Sequence, residues 1–419
     1  MLKRPHYCLG LAIVILFLGC PSIGSSSPNR PSSEDEISSA QASAELGKPI
    51  LPGQLVNPGE TLSVTLPKKG MLVAFTRWGS TTLAVFDVLK RVLVPVATTV
   101  TGEPRELLVS FAAYRVATLV RKGVNPARNY IEVIDMNRRR RQLVEPAKDS
   151  AILGFTLSPS GTQLAYAEIN LKKSNSHRVH WRTKLTDLER NDTQISVASG
   201  PDRLAGEGIP VPFSWSSRTG EVYLQGLLPF RGMVHHGIWA MKPDGSGLRK
   251  ILPEPSYTGL PRLSPDGGSL AFLAPRIEAL PQGTIPLPGA PPGNVLVVVN
   301  LFTGEQSAWA RQTRDVFGTF AWSTSGREIL VSRQEWVENR FRDIALLSVG
   351  KDASLQLSKI VQSSSARLTG IGACEPGSFL WVEEDHQGTR VRGSGGNHKS
   401  SMLLSLPGGK IQLVGCIGK

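Results

Sequence analysis

The chain is poor in the residues and short motifs that announce a chemistry. It holds 4 cysteines and 7 histidines in 419 residues, and no two cysteines stand at the spacing of a zinc site. There is no His-Glu-x-x-His pair and no Walker loop, which sets aside the common zinc hydrolases and P-loop nucleotide enzymes. A Gly-x-Ser-x-Gly elbow is missing too, and with it the strained turn that exposes the nucleophile of α/β-hydrolases. His177-Arg-Val-His180 and His235-His236 are the only histidine clusters. A metal would need further ligands, and none stands near them in sequence, so they read as solvated loop residues. These gaps leave no residue to assign to catalysis, to a cofactor or to a metal.

What is abundant is a recurring turn between two apolar runs. It reads Phe155-Thr-Leu-Ser-Pro-Ser-Gly-Thr-Gln-Leu-Ala-Tyr-Ala167, then Phe213-Ser-Trp-Ser-Ser-Arg-Thr-Gly-Glu-Val-Tyr-Leu224. It returns as Arg262-Leu-Ser-Pro-Asp-Gly-Gly-Ser-Leu-Ala-Phe-Leu273 and as Phe320-Ala-Trp-Ser-Thr-Ser-Gly-Arg-Glu-Ile-Leu-Val331. Proline presets such a turn and glycine supplies the positive φ it needs. The turn glycines stand at 161, 220, 267 and 326, with a weaker copy at 377, so the intervals are 59, 47, 59 and 51 residues. Recurrence at this period in strand-rich sequence predicts a β-propeller with one four-stranded blade per repeat. The 42 glycines and 30 prolines suit many tight turns. Units at Thr61–Val96, Leu107–Val144, 152–199, 211–252, 260–310, 317–361 and 368–415 give seven blades. Six is the alternative, if the first segment only completes the last blade. In the first unit Leu62–Leu66 is the expected inner strand, followed by a Pro-Lys-Lys-Gly turn and Met71-Leu-Val-Ala-Phe-Thr76.

Ser-Pro-Asp-Gly before an apolar strand, then a strand ending in Asp/Asn-x-x-Gly, resembles the WD-repeat-like propeller motif of the TolB family. The turn Lys242-Pro-Asp-Gly-Ser-Gly-Leu-Arg249 is particularly similar. The clear copies cover about 150–335, and weaker ones extend this to about 60–416. The resemblance implies the blade and an envelope setting. It implies no activity, because the same blade serves scaffolds, receptors and enzyme accessory domains.

The N-terminus carries a second pattern. Lys3 and Arg4 precede an uncharged apolar stretch from Cys8 to Leu18, too short for an ordinary membrane span and suited to a signal peptide. It ends Leu16-Phe-Leu-Gly-Cys20, which resembles the lipobox of bacterial lipoproteins, with Phe17 where leucine is usual. The expected organisation is a signal peptide over 1–19, a lipid-anchored disordered linker over 20–48, and a propeller over 49–419. Residues 21–48 are rich in Ser, Pro and charge and cannot build a core. The two remaining cysteines, Cys374 and Cys416, could pair in an oxidising compartment. Placing Cys374 at the end of an inner strand and Cys416 at the far end of an outer one sets them on opposite faces, which argues against pairing.

The formal net charge is +13, an excess that favours anionic partners such as lipid head groups, cell-wall polymers or acidic proteins. Export argues against nucleic acid. Arg138–Arg141 reads as a hairpin tip and the start of an exposed edge strand rather than an anion site. Trp215, Trp322 and Trp381 fall at equivalent blade positions and read as interblade packing.

Loop lengths carry the functional expectation. Connections between the second and third strands leave one face of a propeller, and the expected long ones are Asn170–His180, Gly226–Gly237, Ala274–Asn294, Gln334–Arg342 and Glu384–Lys399. Elaboration confined to one face marks a binding surface, here mildly basic through Lys172, Lys173, Arg178, Arg231 and Lys399. The expected function is a non-catalytic envelope lipoprotein that engages an envelope protein or an anionic cell-wall polymer through this face. The alternative is a lyase or hydrolase with its site in the central funnel. The inner strands argue against it: Ala151–Thr156, Val211–Trp215 and Gly318–Trp322 carry no charge, and only Arg262 breaks the pattern.

Overall fold

The computed structural model describes residues 66–417, apart from 68, 78–79, 88–89, 91, 101–108, 122–128, 139, 175–177, 191–193, 204–207, 229–233, 253–257, 276–292, 313–314, 338–339, 352–365, 376–377 and 395–399. Cys20 and the leader and linker expected over 1–48 lie outside the described residues.

Every regular element among the described residues is a β-strand, and the strands form seven antiparallel sheets, so the ring has seven blades and not six. Blade 1 holds β1 (Gly70–Arg77), β2 (Ser80–Asp87) and β3 (Val92–Val100). Blade 2 holds β4 (Val109–Ala112), β5 (Arg115–Arg121), β6 (Asn129–Asp135) and β7 (Arg140–Val144). Blade 3 holds β8 (Ser150–Leu157), β9 (Gln163–Asn170), β10 (Arg178–Asp187) and β11 (Gln194–Arg203). Blade 4 holds β12 (Ile209–Trp215), β13 (Val222–Leu228), β14 (Val234–Met241) and β15 (Arg249–Leu252). Blade 5 holds β16 (Thr258–Leu263), β17 (Ser269–Ala274), β18 (Val295–Asn300) and β19 (Gln306–Arg311). Blade 6 holds β20 (Val316–Trp322), β21 (Glu328–Val337) and β22 (Arg340–Gly350). Blade 7 holds β23 (Arg367–Glu375), β24 (Ser378–Asp385), β25 (Gly388–Ser394) and β26 (Ser400–Pro407).

The last strand, β27 (Lys410–Ile417), corrects the expected ring closure. It pairs antiparallel with β1, from Gly70↔Ile417 to Thr76↔Lys410, and so supplies the inner strand of blade 1. The sequence pattern points to Leu62–Leu66 for that place. Leu66 instead packs against the core between blades 1 and 2, and 62–65 lie outside the described residues. The closure also overturns the argument against a disulfide. Cys416 lies on an inner strand beside β23 rather than on an outer one, and Cys374 and Cys416 are bonded with their Cα atoms 5.3 Å apart.

The core consists of layers between neighbouring blades. Leu72, Ala74, Leu83 and Val85 of blade 1 meet Val116 and Ile134 of blade 2. Ala321, Leu330 and Leu346 of blade 6 meet Ile371, Phe379 and Trp381 of blade 7. Met71, Val73 and Phe75 complete the circle against Leu380, Val382 and Val391. Middle strands bury both faces, which is why β1, β2 and β17 read as continuous apolar runs instead of alternating ones. Trp381 is fully buried and Trp322 meets Trp309 edge-to-face at 5.5 Å, in keeping with interblade packing.

The repeated turns have one construction. Gly161, Gly220, Gly267 and Gly326 have φ between +68° and +73°; Gly377 lies outside the described residues. A buried serine opens each turn, and its Oγ accepts an N–H across it: Ser158 from Gln163, Ser216 from Thr219, Ser264 from Ser269 and Ser323 from Glu328. Neighbouring blades clasp these turns. Arg115 of blade 2 donates to the Gly161 carbonyl at 2.8 Å and the Ser216 hydroxyl of blade 4 to that of Gly267 at 3.0 Å.

Candidate partner-binding face

Strands alternate in direction along each blade, so second-to-third connections share one end of the ring with the links between blades. First-to-second and third-to-fourth turns share the other. The second-to-third connections differ sharply around the ring. Blades 2, 3, 4 and 5 have 122–128, 171–177, 229–233 and 275–294 between their strands, while blades 6, 7 and 1 have only 338–339, 386–387 and 78–79. The elaborated surface is therefore one sector, blades 2 to 5, and not the whole face. Two of the expected long loops are strand instead. β21 and β22 pair from Glu328↔Gly350 to Val337↔Arg340, and β24 and β25 from Phe379↔Ser394 to Asp385↔Gly388. Their polar residues decorate exposed hairpin ends, with Arg342 bonded to Glu335 and Arg390 to Asp385.

The roots of the long loops are held by buried amides. Asn129, 2% exposed, opens β6 directly after 122–128; its side chain accepts from the Ile152 N–H at 3.0 Å and donates to the Ile152 carbonyl at 2.9 Å. Asn294 is fully buried at the end of 275–294, where its N–H reaches the Ala274 carbonyl and its carbonyl accepts from the Gln312 N–H. In blade 3, Asn170 Oδ1 caps the Lys173 N–H at 2.8 Å, and Ser174 Oγ accepts the His180 N–H at 2.8 Å. Beneath it a buried pair joins Lys184 Nζ to Glu168 Oε1 at 2.9 Å, and Glu168 Oε2 also accepts the Ala147 N–H. Asn129 and Asn294 escaped the sequence reading. The available signal was an Asn at, or just before, the first residue of a third strand in two blades, after connections of seven and twenty residues.

Of the expected contact residues, Lys172 and Lys173 sit exposed in the 171–174 turn. Arg178 opens β10 opposite Arg203, and its side chain is not among those described. Arg231 lies outside the described residues, as does Lys399. The segment 395–399 joins β25 to β26, a third-to-fourth connection, so Lys399 does not belong to the same set of loops as Lys172 and Lys173.

Around the axis, the inner strands β27, β4, β8, β12, β16, β20 and β23 hold four charged residues: Lys410, Arg262, Arg367 and Glu375. Arg262 stands 5.7 Å over the Phe320 ring, and its carbonyl accepts from Trp322 Nε1 at 3.0 Å. Lys410 reaches Glu384 at 3.6 Å. Asp343, 2% exposed, lies between blades 6 and 7, where it accepts the Leu368 N–H at 2.8 Å and Gln334 Nε2 at 2.9 Å. Burial raises its pKa against the opposing pull of those bonds and of Arg367. Among the described residues, no three His, Cys, Asp or Glu side chains gather where a metal ion could be held.

No protein-family model matches the chain, and no curated protein matches it in sequence. Solved structures do match in shape. An oligogalacturonate lyase in complex with manganese superposes with a TM-score of 0.52 at 11% identity, over 74% of this chain and 81% of its own. The oligogalacturonate lyase of Vibrio parahaemolyticus gives 0.51 at 12% identity, over 79% and 95%. TolB from Acinetobacter baumannii gives 0.44 at 12%, over 83% and 82%. TolB proteins thus stand among the structural neighbours beside propeller enzymes, and at these identities the likeness establishes the propeller fold alone.

Proposed function

We propose that this chain is a non-catalytic envelope lipoprotein, anchored through Cys20, whose propeller binds a protein or an anionic cell-wall polymer at the long-loop sector of blades 2 to 5. The observation that carries this is the asymmetry of the second-to-third connections, with up to twenty residues between strands on one side of the ring and two on the other. A scaffold elaborates its connections where it meets something, because binding residues concentrate on loops held by a rigid framework. Buried Asn129 and Asn294 fix the loop roots, so the sector is presented on a firm base. A funnel enzyme would need ionisable groups gathered around the axis, and the inner strands offer one carboxylate, Glu375, with no histidine.

The test compares capture of partners from cross-linked envelopes. Replacing 276–290 by a Gly-Ser link, or changing Lys172, Lys173 and Arg178 to Glu, should abolish the capture seen with the unaltered chain, and added salt should weaken it. Arg327→Glu with Lys351→Glu, at the other end of blade 6, should leave it intact. Capture lost only in that control would place the partner on the wrong side of this reading. The anchor has its own test: Cys20→Ala should move the domain out of a membrane fraction washed at high salt, where charge contacts are screened, or leave the precursor uncut.

A further inference from the structure

The long-loop sector accounts for one end of the ring; the other end has its own charge pattern. β1 is the second strand of blade 1, so it begins at the tight-turn end, and everything N-terminal to Lys69, Cys20 included, joins the propeller from that side. Among the described residues, the point of entry lies beside the most cationic part of that end, in blades 1 and 2, with Glu375 of blade 7 on its other side. At the tight turns and strand ends of blades 1 and 2 stand Lys69, Lys90, Arg115, Arg138 and Arg140 against Asp87 and Asp135. Over the same positions of blades 3 to 6 the described residues balance: Arg190, Arg218, Lys242, Arg249, Arg327 and Lys351 face Asp187, Glu189, Glu221, Asp244, Asp266, Glu305 and Glu328.

The carboxylates near the entry are already engaged. Asp135 accepts Arg115 Nε at 3.0 Å, and Glu189 of blade 3 takes both Arg115 and Arg138, which holds its carboxyl below the usual range. Asp87 caps the Lys90 N–H and lies 3.8 Å from its ammonium, which is 79% exposed. Lys69 and Arg140 are exposed as well. Beside Lys90, Val92 is 47% exposed at the start of β3, an apolar side chain next to a cation, as at a headgroup boundary.

We propose that the tight-turn end of blades 1 and 2 rests on an anionic membrane surface, which turns the long-loop sector of blades 2 to 5 away from the bilayer. The occupant is a layer of anionic phospholipid headgroups, chosen by charge and by the side on which the membrane-bound part of the chain arrives. The proposal rests on the lipoprotein reading for that arrival, and adds to it an orientation and a second, electrostatic contact. A basic patch beside a lipid anchor adds to the attachment and fixes which side faces the bilayer.

The test uses residues 20–419 with Cys20→Ser, so that neither an acyl group nor the apolar stretch 8–18 contributes, and sedimentation with vesicles. The variant should bind vesicles of equal phosphatidylglycerol and phosphatidylcholine and not vesicles of phosphatidylcholine alone, and 0.5 M salt should release it. Each basic residue at a charged surface contributes about fivefold in affinity, so Lys69→Gln, Lys90→Gln and Arg140→Gln together should weaken binding roughly 100-fold. Lys172→Gln with Lys173→Gln, on the looped face, should change nothing. Equal binding to both vesicle types, or loss caused only by the looped-face pair, would overturn the proposal. The anchor is read separately: unaltered chain from cells should partition into phosphatidylcholine vesicles if Cys20 is acylated, whatever the charge variants do.

Discussion

At the scale of single residues, the turn glycines look alike in sequence and differ in what surrounds them. All four adopt positive φ, which costs a residue with a Cβ about 1 kcal/mol. At Gly220 an added Cβ would meet nothing within 4 Å, while at Gly267 it would lie 2.5 Å from Ser216 Oγ and break that clasp on the neighbouring blade. Gly220→Ala should therefore cost about 1 kcal/mol and Gly267→Ala roughly 2–4 kcal/mol, adding the lost buried hydrogen bond. Thermal melts of the two variants check the order, and equal losses would mean that the interblade clasp is worth nothing. Asp343 offers a different test. Its folded pKa is raised, so its contribution to stability is present in acid and is lost as pH rises through that value. The stability of the unaltered protein relative to Asp343→Asn should fall as pH rises above the ordinary aspartate range, measured by denaturant titration at each pH. Asp343→Ala should cost about 1–3 kcal/mol, because the buried Leu368 N–H loses its acceptor.

Among the elements, β27 does what its sequence could not announce. Lys410–Ile417 looks like the outer strand of the last blade, since it follows β26 after Gly408 and Gly409. Its hydrogen bonds go to β1, 340 residues earlier, and no local signal encodes that choice. The disulfide was unreadable for the same reason, as its geometry follows from the closure. Chain-entropy arguments give a cross-link spanning 42 residues about 4 kcal/mol. Cys416→Ser, or reduction of the unaltered protein, should lower stability by up to that amount, read from melts with and without reductant; identical melts would show that the bond carries no load. The hairpin ends at 334–342 and 384–394 look like loops in sequence because Gln334, Glu335, Glu384 and Asp385 are polar. They are strand residues projecting past the core, where polarity no longer reports loop. The turns, by contrast, are legible: Ser, then Pro/Ser/Thr, then Gly three residues after the Ser (four in blade 4) encode a local construction.

For the molecule as a whole, stability is shared around a ring of interblade layers, and the ring has one seam. Leu171 of the 171–174 turn packs against one of these layers, so replacing 276–290 is the change expected to separate partner binding from ring integrity. β27 carries Ile411 and Ile417, 4% and 3% exposed, with Leu413 and Val414 packed beside them. The two buried isoleucines at about 1.5–3 kcal/mol each amount to roughly 3–6 kcal/mol before the partly buried Leu413 and Val414 are counted, a large share of the net stability of a typical domain. Without them β1 becomes an open edge with its apolar residues uncovered, a template for pairing with another copy. A chain ending at Gly409 should therefore fail to give a monomer, passing instead into aggregate on size-exclusion chromatography. The chain with 276–290 replaced by a short link should elute as a monomer and melt as the unaltered protein does. A monomeric, normally melting chain without β27 would show that the blades stand as independent units, and that the seam between β27 and β1 is a convenience of topology rather than what holds the ring.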